Sequence, residues 1–141
     1  MSAATIASLV FFVFASIAAA AVEFLLRAFA EQAGVNRWVF AMVPALFAML
    51  YSMILFQQAE RKVRRVGESV SRGILVMLLT WISFAGLASW FWCPREEFGV
   101  CLSHTLILSG MVGGGPMLLS ALGAGVLTGV LIIRRPRPRV E

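Results

Sequence analysis

The sequence predicts an all-α integral membrane protein, a four-transmembrane-helix bundle with both termini cytoplasmic, as a single domain over residues 1–141. Three observations predict it. Four apolar runs, Ala4–Leu26, Trp38–Phe56, Ile74–Trp92 and Leu106–Ile133, occupy most of the chain, and each is close to the about 20 helical residues that cross a ~30 Å hydrocarbon layer. Hydrophobic residues make up 60% of the 141 and the mean hydropathy is +0.90, so too little polar surface remains to cover a soluble domain. Nine of the twelve Lys and Arg residues fall in two alternate segments, 57–73 and 134–141. The runs are continuously apolar rather than alternating, which selects helices over barrel strands in a solvent that cannot satisfy the backbone.

The first run, Ala4–Leu26, lacks a basic segment before it and is longer than the apolar part of a signal peptide, so a retained helix is expected. The helix is expected to continue beyond the membrane, because Glu23, Arg27 and Glu31 follow an i, i+4, i+8 spacing that pairs them along one face. Glu23 closes the apolar run between Val22 and Phe24. Held by Arg27 at the headgroups it is an interfacial carboxylate; drawn deeper it becomes a functional one, because an ionised group in lipid is costly. Small residues mark the packing faces. Ala4, Ser8, Ala15 and Ala19 fall on one side of this helix, and such ridges let membrane helices approach closely.

The second run carries its small residues at Ala41, Ala45, Ala48 and Ser52. Pro44 lies within it and is expected to kink the helix or to cost it one backbone bond, with Ser52 placed to bond a local carbonyl. The segment 57–73 reads as an amphipathic helical extension. Ala59, Val63, Val66 and Val70 form a stripe, with Arg61, Lys62, Arg64, Arg65 and Arg72 around it. Such a stripe lies on anionic lipid headgroups, docks a cytoplasmic partner, or serves topology alone. The positive-inside rule puts this segment and the basic tail in the cytoplasm, and an even number of spans brings the N-terminus to the same side. Trp38, Trp90 and Trp92 stand at span ends, where an indole N–H reaches the headgroup level.

Cys93 and Cys101 bracket the third connection, with Pro94 and Gly99 favouring a turn between them. An oxidising compartment would join them, and closure of so short a ring contributes about 2–3 kcal/mol; two free thiols are the alternative. Thiol redox catalysis lacks a C-x-x-C pair. In the fourth run Gly110, Gly113, Gly114, Gly115 and Pro116 cluster. Glycines lower helix propensity and the residue before proline avoids helical dihedrals, so a break near Gly115 is one expectation and a closely packed, kinked helix the other. No G-K-[ST] follows, which excludes a phosphate loop. Small-xxx-small spacing recurs at Ala121, Gly125 and Gly129.

His104 is the single histidine and the chain has no Asp. One histidine cannot hold a haem from both sides. No cofactor, metal or catalytic residue is expected, nor any nucleic-acid partner, since the basic residues flank apolar runs. The expected partners are the bilayer, anionic headgroups, and other membrane subunits or further copies of the chain. The expected location is a bacterial inner membrane. Two function classes follow. The first is a non-catalytic subunit or assembly factor of a larger membrane complex. The second is a small homo-oligomeric transporter or channel using Glu23, Arg27, His104 and the break at Gly113, Gly114 and Gly115. A membrane-disrupting or immunity protein is neither supported nor excluded by any residue, and an enzyme is not expected because no paired polar groups converge.

Overall fold

The computed structural model describes residues 2–29, 37–57 and 65–134, and the side chains among them except those of 25–29 and 37–41. Helices make up nearly all of the described residues, and no strand occurs among them: α1 (Ala3–Phe29), α2 (Arg37–Leu55), α3 (Val66–Trp92), a single 3-10 turn (Arg95–Glu97) and α4 (Phe98–Ile133). Three of these helices are long and apolar enough to cross a membrane, and Met42–Leu55 of α2 is a shorter apolar stretch. Together they fit a membrane helix bundle.

The helices form a closed ring in which α1 packs on α2, α2 on α3, α3 on α4, and α4 back on α1. Contact registers make the neighbours antiparallel. Along the α3–α4 seam, Gly129 meets Val66 and Ser69, Gly125 meets Val70, and Gly110 meets Trp81. On the α1–α4 seam, Phe14 meets Gly123 and Val22 meets Gly113. Ser2 starts α1, its hydroxyl accepting from the Thr5 backbone N–H at 3.2 Å, a side-chain cap for a donor the helix itself leaves unpaired.

Small residues fill the interior, as expected of helices that associate by close approach rather than by a hydrophobic driving force. Ala45, Ala48 and Ser52 of α2 are buried, as are Ala121, Gly125 and Gly129 of α4. Ala41 lies outside the described side chains. On α1 the buried face is Ala3, Ala7, Ser8, Phe11, Ala18 and Val22, and Ala4, Ala15 and Ala19 are only partly buried. The expected ridge is thus rotated. Phe11 explains the shift, because its ring turns inward against Phe56, with centroids 5.8 Å apart. A large aromatic has entered a face that was read from small residues alone.

Two helices are longer than their apolar runs. α3 starts at Val66, not Ile74. Its first turns fail a hydropathy test but pack: Ser69 is fully buried, and Val66 and Val70 are partly buried against Gly125 and Gly129. The C-terminal part of the amphipathic stripe therefore covers α4 instead of lying on lipid, while Ala59 and Val63 fall outside the described residues. α4 starts at Phe98, not Leu106.

The break expected near Gly115 does not occur. α4 runs unbroken through Gly113, Gly114, Gly115 and Pro116. Each glycine weakens a helix by roughly 1 kcal/mol, but interrupting one in lipid exposes several backbone groups that water cannot reach, each costing several kcal/mol. Pro44 is likewise buried inside a continuous α2. The Ser52 hydroxyl donates to the Met49 carbonyl at 2.9 Å, a bond within its own turn.

Candidate functional site: the bundle interior

All four helices contribute to a cavity of about 50 Å³ in the middle of the bundle. Its wall includes Phe11 and Ala19 of α1, Pro44 and Ala48 of α2, Met77 and Thr80 of α3, and Met117 and Ser120 of α4. The wall is nearly all carbon because the ring brings together the small-residue faces, whose side chains are too short to meet at the axis. None of the described ionisable side chains lies on it.

Hydroxyls supply the interior polarity, and most turn back onto their own helix. Ser8 donates to the Thr5 carbonyl, Ser16 to Phe12, Ser52 to Met49, Thr105 to Cys101 and Ser109 to Thr105. This habit satisfies the hydroxyl locally at little cost. Among the described residues, four buried hydroxyls depart from it and have no hydrogen-bond partner: Ser69, Thr80, Ser89 and Thr128. Of these, Thr80 alone is on the cavity wall.

Other polar contacts run between helices. The Tyr51 and Ser83 hydroxyls lie 2.6 Å apart across α2 and α3. The Trp81 indole Nε1–H donates to the Ser109 hydroxyl at 2.8 Å across α3 and α4. Sequence reasoning overlooked both. The available signal was Trp81 itself, a mid-span indole whose N–H must find an acceptor when removed from water. Arg72, grouped by sequence with the basic face, donates from its guanidinium to the Leu55 carbonyl at 3.0 Å and lies 5.8 Å from the Phe56 ring centroid. It caps the C-terminal end of α2, where carbonyls lack intrahelical donors and a cation is favoured.

Among the described residues, those singled out from sequence do not converge. Glu23 is partly buried on α1 but is not on the cavity wall. Its depth is informative: the neighbouring Val22 packs against Gly113, near the middle of α4. That register puts the carboxylate level with the centre of the α3–α4 hairpin rather than with its end. The Arg27 side chain and all of Glu31 lie outside the described set, as do Arg61, Lys62 and Arg64; Arg65 is exposed at the start of α3. Gly113 is buried against Val22 and Met117, whereas Gly114 and Gly115 face open space. His104 is exposed, its Nδ1 lying 2.9 Å from the Val100 carbonyl one turn earlier.

Cys93 and Cys101 stand at disulfide distance, with Cα atoms 6.1 Å apart. Pro94 and the following 3-10 turn fold the short connection so that the two ends meet. Trp90 and Trp92 are exposed beside it, and Trp90 packs edge-on to Phe98 at 6.3 Å. Trp38 lies among the side chains not described. Comparison of the chain with protein-family models, curated proteins and solved structures finds no match.

Proposed function

We propose that the chain is a non-catalytic subunit or assembly factor of a larger membrane complex, crossing the membrane four times with both termini cytoplasmic. The 19 residues of α2 extend about 28 Å at 1.5 Å each, enough for a fourth crossing. The observation that carries the reading is the division of surface. Small side chains face one another inside the ring, while large apolar ones such as Met111, Leu119 and Phe24 face out, at 80%, 71% and 74% exposure. Outward faces of this kind suit lipid and other transmembrane helices. Arg65 and Glu68 at one end, and Arg95, Glu96 and Glu97 at the other, flank the apolar helices. The bacterial inner membrane and a Cys93–Cys101 disulfide on its outer face complete the reading, the latter because the cysteine-bearing connection lies opposite the basic segments.

A test is the mass of the tagged full-length protein in mild detergent, measured by native mass spectrometry. The subunit reading expects a complex with another chain at fixed stoichiometry. A symmetric homo-oligomer with no other chain contradicts it.

The second reading is a small homo-oligomeric transporter. One observation favours it: the register of Val22 on Gly113, which takes Glu23 toward the membrane interior, where an ionisable group is by default functional. Its other basis, a broken fourth helix, is absent from the structure. Glu23→Gln separates the two. Loss of activity in a transport or resistance assay, with the fold and thermal stability retained, favours the transporter. An active variant that keeps its partner favours the subunit.

A further inference from the structure

A wider cavity, of about 340 Å³, lies at the tip of the α3–α4 hairpin, and neither functional reading uses it. Its wall is made by Trp90 of α3, Phe98 of α4, and Cys93 and Arg95 of the connection between them. That volume falls in the range of small-molecule sites, roughly 300–1,000 Å³. The wall is chemically divided. Trp90 is 67% exposed and meets Phe98 edge-on, so the two rings form an apolar corner. Beside them the Arg95 guanidinium is exposed and, among the described residues, makes no hydrogen bond or ion pair. Glu96 and Glu97 follow it in the same 3-10 turn, exposed and outside the wall. The 27 residues of α3 extend about 40 Å at 1.5 Å each, against about 40–45 Å for a bilayer with both headgroup layers. The end of α3 therefore stands among headgroups, the level at which exposed Trp90 and Trp92 belong.

We propose that this cavity binds the headgroup of a zwitterionic phospholipid, its phosphate on Arg95, its ammonium toward Glu96 and Glu97, and the start of its chains along Trp90 and Phe98. Each part of that description has a physical source. A guanidinium presents a planar fork of donors that matches two phosphate oxygens. Two carboxylates next to it repel a headgroup of net negative charge and attract an ammonium. The rings sit where hydrocarbon gives way to water, and they suit the apolar start of the chains. Apart from Arg95 and the Trp90 indole the wall has no strongly polar side chain, so a soluble polar ligand would leave most of its groups unpaired.

The proposal rests on the membrane-bundle reading. Native mass spectrometry of the full-length protein in mild detergent tests it, with dioleoylphosphatidylethanolamine, dioleoylphosphatidylglycerol or dioleoylglycerol titrated in. One phosphatidylethanolamine should be held saturably per chain. Phosphatidylglycerol should bind about threefold more weakly, the scale of an exposed charge pair, and dioleoylglycerol should not compete. Arg95→Gln should weaken retention about tenfold, the lower end for a hydrogen bond to a charged group because the guanidinium is exposed. Arg65→Gln, at an exposed arginine of the opposite end, should change nothing. Glu96→Gln with Glu97→Gln should erase the preference for phosphatidylethanolamine. All these side chains are exposed, so the thermal midpoints should stay level. Unchanged retention in Arg95→Gln, or an equal loss in Arg65→Gln, overturns the site. Phosphatidylglycerol held as tightly as phosphatidylethanolamine by the native protein overturns the zwitterion assignment, a result that needs no variant. Displacement of the lipid by inorganic phosphate at equal concentration overturns the lipid in favour of a free anion. A chain that stays monodisperse without detergent sinks the membrane reading, whereas a detergent-dependent chain that retains no lipid sinks this site alone.

Discussion

The two glycine clusters of α4 use the same residue in opposite ways. At Gly125 a Cβ would stand 2.9 Å from the Val70 Cα and 3.3 Å from the Ser69 carbonyl oxygen, and at Gly129 it would stand 3.0 Å from the Ser69 Cβ. At Gly114 and Gly115 it would meet nothing within 4 Å. Gly73, on the facing helix, belongs with the first pair, since a Cβ there would come within 2.8 Å of the Ala121 carbonyl oxygen. Spacing explains the difference. Positions 121, 125 and 129 recur every four residues and stay on one face. Three consecutive glycines point in three directions, and only Gly113 of that run is buried. A glycine in a membrane helix is therefore a contact residue when its spacing holds it against a neighbour, and merely a weak helix former when it does not.

Substitutions sharpen this contrast. The largest effect is expected for Gly125→Leu, where the obstacle is the α3 backbone and cannot rotate away; the variant should fail to give a monodisperse folded peak in detergent. Gly73→Ala and Gly125→Ala should each lower stability by about 1–3 kcal/mol, the usual cost of added volume in a packed site, read as a drop in thermal midpoint. If these variants melt with the native protein, the seam is not as tight as described. Arg72→Met should cost about 1–2 kcal/mol by removing a charged donor from the end of α2. Trp81→Phe should cost about 0.6–1 kcal/mol, the scale of an interhelical hydrogen bond in a membrane. Smallest, and opposite in sign, is Gly114→Ala, which should raise stability by about 0.5–1 kcal/mol because it improves helix propensity without a clash. A destabilised Gly114→Ala would mean that the open face of the glycine run is covered by something, and that the two clusters are alike after all.

How much of this was legible in the residues varies from element to element for physical reasons. Hydropathy and length located four helices, because an apolar run in lipid has few other states. The three- and four-residue spacing of Ala45, Ala48 and Ser52, and the four-residue period of Ala121, Gly125 and Gly129, located two packing faces. The start of α3 was missed because Glu68, Ser69 and Arg72 lower the local hydropathy, yet tertiary contacts with α4 and α2 extend the helix through them. At Gly115 the sequence left a break and a continuous packed helix open, since local propensity counts in tenths to one kcal/mol per residue, and the unpaired backbone that a break would expose decides for the continuous one. On α1, small residues alone could not reveal that Phe11 turns inward. For the interior site, the residues gave no sign that Thr80 would lack a partner. That property depends on three other helices arriving around one hydroxyl, and it leaves no periodic trace.

The most direct test of the bundle is a cross-link through the α3–α4 seam in the membrane. A chain carrying Ser69→Cys and Gly129→Cys places two thiols where the built Cβ of residue 129 lies 3.0 Å from the Cβ of residue 69, close enough for a small relaxation to reach disulfide geometry. Mild oxidation followed by non-reducing peptide mapping should recover the two peptides joined within one chain. A control chain carrying Ser69→Cys and Gly114→Cys should give no such pair. A folded protein that fails to link 69 with 129, or links 69 with 114 as readily, would contradict the antiparallel seam.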